Sequence, residues 1–392
     1  MINRRRFTQA LLAAGGAAVL PRRARAAEKV RVGMTSALSG QASSLGLGMK
    51  EGIETAFTQI NAAGGVHGRQ LELIAMDDGY EPGRAAPNMR KLIDQEKVFA
   101  VLGNTGTPTA AVTVPIANEK KIPLFGAFTG AGLLRKTPPD RYVINYRASY
   151  AQETGEMIRG LVKELKIPAE HIAFFTQNDA YGDSGFAGGV KALQAIGHTE
   201  AKWATHGRYP RNTTDVEEGL ARLLDPRQHP RAIIMVGAYH PCARFIQLAR
   251  KEGLRALFVN VSFVGSAALA KELGRDGDGV VVTQVVPHFD ADLPATRDYR
   301  AVVPAEKRNF IALEGYLVGR AFAAGLTLAG PGADTEQFIS ALERDTPIDL
   351  GLGVTHRLSP KVHQLSNQVW PTVIRQGAFH PIQNWTELGR VS

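Results

Sequence analysis

The chain has 392 residues, 44% hydrophobic, 21% charged and 7% aromatic, with a single cysteine. This composition excludes a disordered or fibrous protein, and one cysteine excludes an intrachain disulfide framework and a cysteine-based zinc cluster. The formal charge of +9 is concentrated at the start: six of the 46 basic residues and no acid fall in residues 1–26, leaving 40 basic against 37 acidic residues, a net +3 without the basic face that a nucleic-acid partner requires.

Residues 1–26 read as an export signal. Arg4-Arg5-Arg6 precedes an apolar stretch from Ala10 to Leu20, and Ala24-Arg25-Ala26 supplies small residues for cleavage before Ala27. Arg4-Arg5-Arg6-Phe7 also resembles the twin-arginine motif, whose route carries folded proteins. The mature chain is therefore expected in the periplasm. No run of 18 apolar residues follows, so no membrane-spanning segment is expected there.

The body alternates short apolar runs with longer periodic segments. Val30–Met34 predicts a strand, and Met49, Ile53, Ala56, Phe57 and Ile60 predict a helix that ends at Gly64-Gly65. Leu71–Met76, Val98–Leu102, Ile122–Phe125 and Tyr142–Ile144 predict further strands. The pattern restarts near Arg147. Met157, Ile158, Leu161, Val162 and Leu165 predict a helix, Ile172–Thr176 a strand, and Phe186, Val190, Leu193 and Ile196 the next helix. Strands follow at Ile233–Val236, Leu257–Val259 and Val280–Val282, then a long helix from Phe310 to Leu328 and a hairpin turning through Arg375-Gln376-Gly377. Strands alternating with helices imply βαβ units and parallel sheets, and there are too many strands for one compact sheet. The fold expected is α/β, with two doubly wound lobes.

Several apparent motifs carry no chemistry. Gly46-x-Gly48-x-x-x-Gly52 misses the dinucleotide fingerprint by one residue and comes too late after the first strand. Gly182-Asp183-Ser184-Gly185 looks like a serine-protease nucleophile loop, but that chemistry needs an oriented histidine. Asn212-Thr213-Thr214 is a formal glycosylation sequon without supporting context. The ten histidines are scattered, so neither a metal site nor a cofactor is expected.

The informative residues sit where strands end, the place where open α/β sheets bind ligands. Gly103–Thr109 follows one strand and Gly126–Gly132 the next, each combining small residues, hydroxyls and backbone N–H groups ahead of a helix. Such loops suit an anionic group held without a fixed cation. Phe128, Tyr150, Tyr181 and Tyr239 could add flat walls for an aromatic or aliphatic acid.

These features are similar to the periplasmic leucine/isoleucine/valine-binding proteins, the substrate-binding components of branched-chain amino-acid-type ABC importers. The likeness covers residues 28–392. It rests on Ala37-Leu38-Ser39-Gly40, on Ile60–Gly68 with its Asn-x-x-Gly-Gly-x-x-Gly spacing, on Asp77-Asp78, on Gly103–Thr109 and on Asn178–Gly182. It implies two lobes joined by three hinge strands, closing on a ligand between them. The lobes expected are residues 27–146 with 287–350, and 147–286 with 351–392. By the same resemblance, Thr105, Gly106 and Thr107, with Ala127 and Thr129, would hold a ligand carboxylate. Leu45 would line the wall, and Tyr181 and Tyr239 would close from the second lobe.

One departure bears on the ligand. Amino-acid-binding members place an acid after the strand matching Leu257–Val259, to meet the ligand ammonium; the best match here is Ser262. A buried ammonium without an anionic partner is costly. Either Asp179, Asp183 or Glu153 replaces that acid, or the ligand has no ammonium; the second reading is favoured. The function expected is a non-enzymatic receptor that delivers a small carboxylate-bearing ligand to an ABC permease in the inner membrane. An α/β hydrolase or dehydrogenase using the same crevice, or a sensory binding protein, is the alternative.

Overall fold

The computed structural model describes residues 29–389 with the exception of Pro226, so the expected export signal lies outside the described residues. The first sheet holds β1 (Lys29–Ser36), β2 (Gln70–Asp77), β3 (Ala100–Leu102), β4 (Leu124–Phe125) and β5 (Val143–Ile144) in the order β2-β1-β3-β4-β5, all parallel. Helices α1 (Ser43–Ala62), α2 (Pro82–Asp94) and α3 (Thr107–Lys120) connect them. Strand order reverses between β1 and β3, which places a crevice at their carboxyl ends.

Chain then passes into a second lobe. Helix α4 (Tyr150–Ile158) starts from a Ser149 capping box and continues as a π-helix over Arg159–Glu164. The strands that follow are β6 (Ile172–Gln177), β7 (His206–Tyr209), β8 (Ala232–Val236), β9 (Leu257–Asn260) and β10 (Val281–Gln284), separated by α5 (Ala180–Ala195), α6 (Glu217–Leu223), α7 (Tyr239–Lys251) and α8 (Ser266–Leu273). β6, β8, β9 and β10 are buried along their whole length, as strands covered on both faces must be.

The chain returns to the first lobe through α9 (Pro294–Val302), α10 (Phe310–Ala329), α11 (Thr335–Leu342) and the short antiparallel pair β11 (Ile348–Asp349) and β12 (Thr355–His356). It runs beside β5, where the Asn145 amide donates to the His363 carbonyl and the Leu365 amide to the Asn145 carbonyl, before it reaches β13 (Trp370–Arg375) and β14 (Ala378–Pro381). These two complete the second sheet antiparallel, in the order β14-β13-β10-β9-β8-β6-β7. Three segments thus cross between the lobes, 146–149, 285–293 and 366–369, and the last of them lies beyond the boundary at 350 expected from the sequence, because 351–365 pairs with β11 and runs beside β5.

Helix α10 is long and apolar enough, by length and composition, to cross a membrane, but 78% of that window is buried within the protein. Its partner is α1. A methyl group on Gly52 would lie 2.0 Å from the Ala312 carbonyl oxygen, and one on Gly315 would lie 2.4 Å from that of Met49. The glycines let the two backbones touch. Gly46 similarly packs against the Ala37 carbonyl, so the Gly46-Gly48-Gly52 pattern serves packing.

Candidate ligand-binding cleft

The cleft is built where both sheets present their carboxyl ends. Thr105 follows β3 and Ser36 ends β1; their hydroxyls are 2.6 Å apart. Gly106 has φ of +97°, and a methyl group there would lie 2.0 Å from the Tyr80 ring, so only glycine fits. Its amide donates to the Phe128 carbonyl, and the Phe128 amide donates to the Asn104 carbonyl, which binds the two hydroxyl loops together. Thr107 opens α3 with no side-chain cap on the helix, and its hydroxyl lies 2.7 Å from that of Thr129. Thr129 also accepts from the Ala131 amide and reaches the Tyr150 hydroxyl at 3.3 Å, while its own amide donates to the Ala127 carbonyl. Thr105, Thr107, Thr109 and Thr129 are all fully buried. The result is a cluster of hydroxyls at an open helix N-terminus, where the partial positive charge favours an anion.

Four aromatic side chains continue from this cluster into the second lobe. Tyr150 packs on Tyr181 with ring centroids 5.2 Å apart, Tyr181 on Phe263 at 4.7 Å, and Phe263 on Phe128 at 5.1 Å. The Tyr181 hydroxyl donates to the Gly237 carbonyl at the end of β8. Leu45, buried on α1, faces Gly265 and so touches the second lobe. The Ser44 amide donates to the Tyr239 hydroxyl across the cleft at 3.5 Å. All eleven residues singled out in the sequence therefore gather where the lobes meet.

Ser262 follows β9, and its surroundings are charged. Its amide and hydroxyl both donate to Glu153, at 2.8 and 3.0 Å, and Thr283 donates to the same carboxylate at 2.6 Å. Burial pushes the Glu153 carboxyl up, against the pull of the nearby Arg147. Of the other acids considered, Asp179 caps α5 and accepts from Gln177, while Asp183 pairs with Arg208 at the surface. Two basic residues escaped the sequence reading. Arg147, fully buried, donates to the Ser262 hydroxyl. Arg135 donates to the carbonyls of Thr129, Ala131 and Arg147 and to Gln364, tying the hydroxyl loop to the first crossing segment and to the strand-like run beside β5. Burial pushes Glu314, on α10 beside Arg147, up to about 7. No spacing motif marks these residues, because a crossing segment brings them together.

The lobes are closed on one another. Gln177 donates to Tyr80, Arg211 pairs with Glu81 at 2.7 Å, and Asn212 donates to Glu81 and to the Gly79 carbonyl. The Gly132 amide donates to the Ser184 hydroxyl at 3.3 Å, so Gly182–Gly185, which the structure places in the first turns of α5, is part of this contact. A cavity of about 10 Å³ remains beside Gln41, Tyr80, Gln177 and Tyr209, room for roughly one water.

The sequence model of the periplasmic binding protein family matches residues 29–378. A solved structure titled a "possible leucine/isoleucine/valine-binding protein", from Rhodopirellula baltica SH 1, is 46% identical, with a TM-score of 0.87 over 93% of this chain and 98% of its own. The amino acid binding protein of Pseudomonas aeruginosa is 26% identical over 90% of this chain and 92% of its own. The Leu/Ile/Val-binding protein of Escherichia coli K12 is 22% identical over 82% and 85%. With two doubly wound lobes, three crossings and a cleft at the strand ends, the chain belongs to the periplasmic binding proteins of leucine/isoleucine/valine-binding type.

Proposed function

We propose that this protein is the exported solute receptor of an ABC importer, capturing a small carboxylate-bearing ligand between its lobes and presenting it to an inner-membrane permease. The observation that carries the reading is the placement of buried hydroxyls around the uncapped N-terminus of α3, Thr107 on Thr129 and Thr105 on Ser36. Hydroxyls and helix amides together satisfy a carboxylate without a cation. Tyr150, Tyr181, Phe128 and Phe263 supply apolar walls, which fit an aliphatic or aromatic body. The ligand acts by stabilising the closed arrangement of the lobes. We read the cleft as a receptor and not an enzyme, a reading supported by membership of the periplasmic binding protein family.

A thermal-shift screen of amino acids, 2-oxo acids and aromatic acids tests this. A true ligand at a hundred times its Kd stabilises the protein by about 2.7 kcal/mol. Absence of a shift with every carboxylate would overturn the reading. For export, mass spectrometry of the periplasmic fraction should find a mature N-terminus at or near Ala27, and replacing Arg4 and Arg5 by lysine should block a twin-arginine route.

A further inference from the structure

Arg147 enters the core from the first crossing segment. Its side chain is wholly buried, with the guanidinium carbon 4.6 Å from the centre of the Phe128 ring. Nη2 donates to the Ser262 hydroxyl. Nε lies 3.4 Å from Glu314 Oε1 but is not aligned to donate to it, and Nε and Nη1 have no hydrogen-bond partner. A guanidinium carries five N–H donors in a fixed fork, and donors left buried without an acceptor are destabilising. Nε faces Glu314, whose Oε1 is likewise without a hydrogen-bond partner, so Nη1 is the donor that the protein itself leaves over.

That donor lies next to the carboxylate receptor. Phe128, under the guanidinium, precedes Thr129 in the hydroxyl loop, and Arg135 donates to the carbonyls of both Thr129 and Arg147. One guanidinium, that of Arg135, thus holds the backbones of Thr129 and Arg147 together. The nearest acid does not compete for that role. Glu153 already accepts from the Ser262 amide, the Ser262 hydroxyl and the Thr283 hydroxyl. Ser262 donates to Glu153 and accepts from Arg147, so the cationic member of this chain is the one with a donor left over.

We propose that Arg147 is a ligand contact that takes an oxygen acceptor on the carbon next to the ligand carboxylate, so that the site selects 2-oxo acids over the corresponding amino acids. An oxo group accepts from Nη1, whereas an ammonium there would oppose a buried guanidinium charge. The inference rests on the carboxylate-receptor reading above.

The test is calorimetry on the mature protein with two matched pairs, 4-methyl-2-oxopentanoate against leucine and phenylpyruvate against phenylalanine. In at least one pair the oxo acid should bind about tenfold or more tighter than its amino acid. The double variant Arg147→Met with Glu314→Gln removes the buried pair together, leaving no lone buried charge, and should abolish that preference. Should it not fold, Arg147→Lys keeps the charge and should preserve the preference while weakening both ligands. Leucine and phenylalanine each binding as tightly as its oxo acid would overturn the inference and assign the ammonium to Glu153. Binding of carboxylates without a 2-substituent, but of neither pair, would overturn it as well. Binding of no carboxylate at all would overturn the receptor reading itself.

Discussion

Gln177 Nε2, at the end of β6, donates to the Tyr80 hydroxyl at 3.2 Å and so bonds one lobe directly to the other. Tyr80 is positioned at some cost. Its φ is +64°, in the left-handed region, and Asp78 holds the turn by accepting the Tyr80 amide. Its ring packs on Gly106 and on Phe263, 6.1 Å away. The side chain thus touches the hydroxyl loop, the aromatic wall and the opposite lobe at once.

Glu81, one residue on, accepts from both Arg211 and Asn212 of the second lobe. These contacts exist only when the lobes meet. Glu81→Ala should therefore lower ligand affinity by roughly two- to fivefold, in line with a partly exposed ion pair. The melting temperature without ligand should stay within about 2 °C, because neither lobe's core changes. Calorimetry and thermal denaturation read the two effects separately. An unchanged affinity would mean that this contact does not favour closure.

The hydroxyl cluster makes a stronger prediction. Thr105→Ala and Thr129→Ala should each weaken ligand binding by about 1–3 kcal/mol, the cost of leaving a desolvated charged acceptor short of a donor. Thr129→Ala should have the larger effect, since its hydroxyl also meets Thr107 and Tyr150, whereas Thr105 meets Ser36. Titration of either variant with the acid found by screening decides it. Wild-type affinity in both would show that these hydroxyls bond only to one another.

Local pattern made most of the fold legible. β6 opens on the apolar run Ile172–Phe175, β8 is the unbroken apolar run Ala232–Val236, and Phe310–Ala329 is periodic over its whole length. β7, His-Gly-Arg-Tyr, was not legible because an edge strand with polar residues lacks that signal. The hydroxyl loops could be found because each directly follows a strand. Arg147 and Glu314 could not, since 167 positions separate them and only the return of the chain through α10 pairs them. Tyr80 was hidden for a similar reason: its partners Gly106 and Gln177 lie in other elements.

The contact between α1 and α10 gives a stability prediction independent of any ligand. A methyl group on Gly52 would overlap the Ala312 carbonyl and crowd the Tyr316 amide, neither of which can rotate away. Gly52→Ala should destabilise the first lobe by about 1–3 kcal/mol or more, despite alanine's better helix propensity. Urea denaturation measures this. A stabilised variant would mean that the helices can separate without loss.

His206 supplies the pH prediction. Its ring stacks on Phe186 with centroids 4.1 Å apart, and its Nε2 pairs with the Thr176 hydroxyl at 2.7 Å. Burial, reinforced by the charge of Arg208, lowers its pKa to about 4, with Asp183 opposing weakly. In the unfolded chain the ring titrates near the ordinary value of about 6.5. Between these values the unfolded chain binds the extra proton, so stability must fall as the pH drops from about 6.5 to 4. Above 6.5 the ring is neutral in both states and contributes no slope. The loss attributable to this residue is of order 2–3 kcal/mol when complete. His206→Phe keeps the ring stack and removes the titration, at a cost of about 1 kcal/mol near pH 7.5 for the lost Thr176 bond. Relative to the wild type, the variant should then recover as the solution is acidified and equal or exceed it near pH 4.5. Urea midpoints at pH 7.5, 5.5 and 4.5 give the comparison. Parallel curves for the two proteins would show that His206 is not held neutral by its packing.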